Sequence, residues 1–193
     1  MGIFDRIAGT LEGLAGDGEG AAAAKEEVEL AAAVADRGDL AAAEQRLAEV
    51  VARFPKLAVA SLRLGQVLAR RGALEEAVAV LGRAVDLEGD DADAWFALGD
   101  VLARLGRAEP ARDALRRTLA LAVDPGLEGR AHAALGGVYA RAGQLGKAAR
   151  ELGKALELLG DDADVTIAYG RTLARAGERE ATEWLTRAAR RAG

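Results

Sequence analysis

Residues 92–125 read ADAWFALGDVLARLGRAEPARDALRRTLALAVDP. Trp95, Leu98, Gly99 and Leu102 recur at helical spacing, Gly106 interrupts, and Ala111 and Leu115 begin a second helical pattern that Pro125 closes. Apolar residues three and four apart share one face of a helix. The stretch therefore predicts two amphipathic helices joined at a glycine-marked turn.

Working outward, the same pattern returns along most of the chain. Turn glycines recur at Gly38, Gly72, Gly106, Gly143 and Gly177, with spacings of 34, 34, 37 and 34. Seven residues before each lies a small residue: Ala31, Gly65, Gly99, Gly136 or Gly170. The residue before that is large: Leu30, Leu64, Leu98, Leu135 or Tyr169. After the turn come Ala43, Ala77, Ala111, Ala148 and Ala181, and four residues later Leu47, Leu81, Leu115, Leu152 and Leu185. A period of this length is the signature of a stacked array of helix pairs.

The constellation resembles the tetratricopeptide repeat over residues 24–193, in units of 24–57, 58–91, 92–128, 129–162 and 163–193. The resemblance implies an all-α, right-handed superhelix of helix-turn-helix pairs. The small residue lets the second helix cross the first closely, and the turn glycine supplies the left-handed conformation that ends the first helix. Three details depart from strict repetition. Val123-Asp124-Pro125-Gly126 hold a three-residue excess, expected as a longer loop. One residue is missing between Gly177 and Ala181, which predicts a register shift in the last helix. No further helix follows the fifth pair, so Trp184 and Leu185 are expected either to pack internally or to contact another molecule.

Composition narrows the function. The chain has 193 residues, is 51% hydrophobic but only 4% aromatic, and carries a formal net charge of −5. That net charge argues against nucleic-acid binding, which requires a basic surface. No apolar run is long enough to span a membrane, and no secretory leader is evident, so a cytoplasmic placement is expected. There is no cysteine, one histidine (His132) and one serine (Ser61). That inventory offers no thiolate–metal set and no serine triad. His132 takes the place of Trp95 in its repeat and is expected to pack. The acidic strings GDDAD at 89–93 and 160–164 are expected to cap helices rather than hold calcium. Neither catalytic residues, metal nor cofactor is expected.

Binding is the better-supported class. In tetratricopeptide arrays the first helix of each repeat lines a concave groove. Carried onto this sequence, the resemblance puts Val28, Leu62, Phe96, Ala133 and Ile167 in one row, with a row of alanines beside it. Asp36, Arg70, Arg104, Arg141 and Arg175 form a third row, joined by Arg63, Gln66, Asp100 and Arg171. Such a trough suits an amphipathic helix or extended peptide bearing acidic residues. Basic residues before a turn glycine also interact favourably with the helix dipole, which is the competing reading of the arginine row. The carboxylate clamp of some family members uses Lys and Asn; here the corresponding places hold Ala32, Gln66 and Asp100, which disfavours chaperone tails.

Residues 1–15, MGIFDRIAGTLEGLA, stand apart. At about 100° per residue, Ile3, Phe4, Ile7, Leu11 and Leu14, with Ala8 and Ala15, fall within an arc of roughly 140°. Asp5, Arg6 and Glu12 lie on the other side. Such a short, glycine-interrupted segment is marginal alone and becomes helical against a surface. Residues 16–23 read as a flexible linker. The opening MGIFDRI resembles the leading amphipathic helix of phage-shock and vesicle-inducing membrane proteins, which implies a lipid surface. Its polar face is not basic, whereas membrane-surface helices usually are. Docking on protein, in its own array or a second copy, is the alternative, and a targeting peptide that inserts into a groove on a larger host assembly is the third reading. The sequence predicts a non-catalytic scaffold or adaptor with a protein or peptide partner; a peripheral membrane organiser is the rival.

Overall fold

The computed structural model describes residues 19–160 and 162–192; Ile3, Phe4, Ile7, Leu11 and Leu14 lie outside the described residues. All secondary structure among the described residues is helical, and ten helices form five hairpins. The chain divides into two compact units, Met1–Gly89 and Asp90–Gly193.

In the first unit, α1 (Glu19–Asp36) pairs with α2 (Leu40–Arg53), and α3 (Ala58–Arg71) with α4 (Leu74–Leu87). The second unit pairs α5 (Ala92–Arg104) with α6 (Ala108–Leu121), α7 (Pro125–Arg141) with α8 (Leu145–Leu159), and α9 (Ala163–Ala176) with α10 (Ala181–Ala192). Within each unit every helix packs on its chain neighbours, and first helices also meet: α1 with α3, α5 with α7, α7 with α9. This is nearest-neighbour stacking. Because α1 begins at Glu19, residues 19–23 are helical, and the span expected as linker is shorter than the sequence suggested.

The repeated small residue works as expected. A methyl group on Gly136 would sit 2.5 Å from Leu152 Cγ, and one on Gly65 2.5 Å from Leu81 Cγ. Leu47, Leu81, Leu115 and Leu152 are at most 1% exposed. Burying such a side chain stabilises by about 1.5–3 kcal/mol, so these four, one in each of the first four hairpins, anchor the core. The five turn glycines all have positive φ, from 73° at Gly143 to 98° at Gly38. At Gly72 the N–H donates to the Ala69 carbonyl and that of Ala73 to the Leu68 carbonyl, the paired closure that ends a helix at glycine.

Helix starts follow the acidic caps. Asp91 accepts from the N–H groups of Asp93 and Ala94, and Asp162 from that of Val165. The two GDDAD strings therefore do helix-capping work. Asp124 accepts from Leu127 N–H with Pro125 at the first helical position, where its missing N–H is harmless. The three-residue excess thus extends α7 by most of a turn instead of lengthening the loop, and Leu127 is buried. The deletion after Gly177 is also absorbed locally: α10 starts four residues past the glycine, where α8 starts two past its own. Leu185 still nests over Gly170, where an added methyl would lie 2.9 Å from Leu185 Cδ2, so the predicted register shift does not occur. Trp184 meets Tyr169 edge-on with ring centroids 5.0 Å apart. Both residues at that end pack internally, and α10 turns Thr182, Glu183, Thr186 and Arg187 to solvent.

Candidate functional site

In each unit the first helices form a face that combines apolar and charged side chains in register with the sequence expectation, and the two faces differ. In the first unit α1 and α3 lie side by side, and Val28 and Leu62 are taken into the core at 0% and 6% exposure. Leu62 is therefore not an accessible anchor, contrary to expectation; the close approach of the two helices covers it. Arg63 is half-buried, with one guanidinium nitrogen 3.3 Å from Gln66 Oε1 and another 3.6 Å from Glu29. These contacts order Arg63 and Gln66 along α3.

In the second unit the row is open. Phe96, Ala133 and Ile167, from α5, α7 and α9, are each half-buried. Arg130, which the sequence did not single out, lies over the Phe96 ring with its guanidinium carbon 5.1 Å from the centroid. Its place at the start of α7, one row from Ala133, could have flagged it. Arg171 is exposed beside Ile167 on α9. Asp100 lies 3.9 Å from Arg104. Burial pushes its carboxyl above the usual aspartate range, and the opposing pull of Arg104 and Arg141 does not overcome it.

Three members of the arginine row have a structural occupation. Arg70 donates to the Ala35 carbonyl at 2.8 Å and to Asp36 at 3.1 Å. Arg141 donates to the Ala103 carbonyl at 3.0 Å, and Arg175 to the Ala140 carbonyl at 3.0 Å. Each acceptor lies in the last turn of the preceding hairpin's first helix, where the same carbonyl also accepts from the N–H of the turn glycine. These arginines staple one hairpin to the next. They act on a helix end as the dipole argument requires, but on the neighbour's helix rather than their own.

His132 is 6% exposed, with Nδ1 2.7 Å from Glu151 and Nε2 3.8 Å from Glu128. It ties α7 to α8, a packing role as expected. Ser61 is fully buried.

Residues 65–106 match the family described as TPR repeat, and residues 92–122 match Tetratricopeptide repeat. These matches place tetratricopeptide repeats across residues 65–122. Solved tetratricopeptide structures carry the likeness further. MamA (41-end) from Desulfovibrio magneticus RS-1 is 23% identical, with a TM-score of 0.75 over 86% of this chain and 93% of that one. PilF of Pseudomonas aeruginosa is 20% identical, with a TM-score of 0.80 over 89% and 78%. YrrB, described as a TPR protein with an unusual peptide-binding site, is 23% identical, with a TM-score of 0.66 over 84% and 82%. At these identities the likeness shows the fold, an all-α solenoid of helix hairpins. Among curated protein sequences there is no match. Tetratricopeptide-repeat proteins are in general interaction scaffolds for peptide or protein partners. No helix among the described residues is long and apolar enough to cross a membrane.

Proposed function

We propose that this tetratricopeptide-repeat protein is a non-catalytic, cytoplasmic adaptor. Its second unit takes an acidic, amphipathic segment of a partner protein along the face of α5, α7 and α9. The observation that carries this reading is the open row Phe96–Ala133–Ile167, flanked by the exposed cations Arg130 and Arg171. An apolar strip receives aliphatic anchors, and the guanidinium groups pair with carboxylates on the same segment. Arg104 adds positive charge at the rim, with Asp100 beside it. Taken by itself, the α3 face of the first unit offers a partner polar groups only, Arg63, Gln66 and Arg70. Residues 3–14 are proposed as a docking helix that binds protein.

The test uses a pair of labelled amphipathic peptides identical except that one carries Glu and the other Lys on its polar face. Fluorescence anisotropy should show binding of the Glu peptide and little of the Lys peptide. Phe96→Ala and Arg171→Glu should each weaken the Glu peptide about tenfold, as loss of a central anchor or a charge pair does. Equal binding of both peptides, or unchanged affinity in both variants, overturns the reading.

The rival reading, a peripheral membrane organiser, draws on the lipid-binding resemblance of MGIFDRI. Co-sedimentation of the full chain with anionic vesicles separates it from the adaptor reading.

A further inference from the structure

The large residue before each small helix-crossing residue has one habitual environment. Tyr169 packs against Leu152, Ala155 and Val165, so it rests on the second helix of the hairpin before it. Leu64 and Leu135, at the same place in α3 and α7, are 7% and 3% exposed. Leu30 in α1 is 60% exposed. Beside it opens a hollow of about 200 Å³ lined by Glu27, Leu30, Arg46, Glu49 and Val50. Along α1, Ala23, Leu30 and Val34 form a second stripe next to the buried one at Ala24, Val28, Ala31 and Ala35. The first hairpin thus presents a stacking face shaped for one more helix.

We propose that residues 3–14 of the same chain are that helix, folded back antiparallel onto α1. This rests on the reading of the segment as a docking helix and specifies where it docks. Residues 15–18 would be the connection to α1, which begins at Glu19. Links of that length join antiparallel neighbours in helical arrays. Twelve helical residues span about 18 Å, which covers the roughly 11 Å between Ala23 and Leu30 on the stripe. In an antiparallel hairpin with this link, Phe4 comes level with Leu30 and Leu11 with Ala23. The apolar arc of Ile3, Phe4, Ile7, Leu11 and Leu14 then faces the stripe. The segment would act as an amino-terminal cap on the array.

The chain has no cysteine, so introduced pairs report cleanly. In the full chain, Phe4→Cys with Leu30→Cys should form an intramolecular disulfide under mild oxidation, because docking brings the two Cα atoms within about 7 Å. Asp5→Cys with Leu30→Cys, on the opposite side of the helix, should oxidise about tenfold more slowly, at the rate a loose tether allows. Leu30→Asp alters an exposed position, so the fold survives it. It should speed tryptic cleavage after Arg6 about tenfold by releasing the segment. Equal oxidation of the two pairs, or cleavage unchanged in Leu30→Asp, overturns the inference. A disulfide formed only between chains also overturns it, while leaving protein docking in place. If neither pair crosslinks and the chain sediments with phosphatidylglycerol vesicles, the docking reading itself fails and lipid takes its place.

Discussion

Gly136 and Gly137 are adjacent on α7 and answer to different demands. A methyl at Gly136 would lie 2.5 Å from Leu152 Cγ and 3.3 Å from the Ala148 carbonyl, whereas one at Gly137 meets nothing within 4 Å. Gly136→Ala should therefore destabilise the fold by about 1–2 kcal/mol, with overpacking outweighing the gain in helix propensity. Gly137→Ala should stabilise it by up to about 1 kcal/mol, since only the propensity gain remains. Opposite shifts in urea midpoint would bear this out; equal shifts would refute the crossing argument. Gly136 was legible from its phase with Gly65 and Gly99. The openness around Gly137 was not, because it depends on the spacing of neighbouring helices. Leu62 was misjudged for the same reason: phase placed it on the groove face, but α1 lies against α3 too closely to leave it accessible.

Helices and their ends were the most legible level. Asp caps, turn glycines and Pro125 act over one to four residues and so leave local signatures. The deletion after Gly177 was visible, but its outcome was decided by Leu185 seating over Gly170, which holds the register while the helix start retreats. The partners of the arginine row were invisible, because the acceptors are backbone carbonyls 35 or 38 residues away and any residue supplies a carbonyl. Removing one of these bonds should loosen a seam. Arg175→Ala is expected to lower stability by about 1 kcal/mol, the usual worth of a partly exposed charged hydrogen bond. Binding of the Glu-bearing peptide should be nearly unchanged. A tenfold loss of that affinity with unaltered melting temperature would instead return Arg175 to the ligand.

At the scale of the molecule, stability in a stacked array is the sum of hairpins and the seams between neighbours. Helix α10 packs chiefly on α9, whereas α7 touches α5, α6, α8 and α9. Amide hydrogens in α10 should exchange about tenfold faster, or more, than those of α7 and α8. Uniform protection across the three helices would contradict nearest-neighbour stacking. The repeat period made this architecture plain, while the division into Met1–Gly89 and Asp90–Gly193 left no mark in the glycine phase. The arginine bonds also give the chain a direction. Each reaches back toward the amino terminus, so a hairpin trimmed from the carboxyl end departs with its own guanidinium and leaves finished joints behind. Loss of the first hairpin would instead strand Arg70, with neither Ala35 nor Asp36 to receive it. Lengthening by duplication is easiest at the carboxyl end for the same reason, since an appended copy of the last hairpin arrives with an arginine and meets at Ala174 a carbonyl placed as Ala35, Ala103 and Ala140 are.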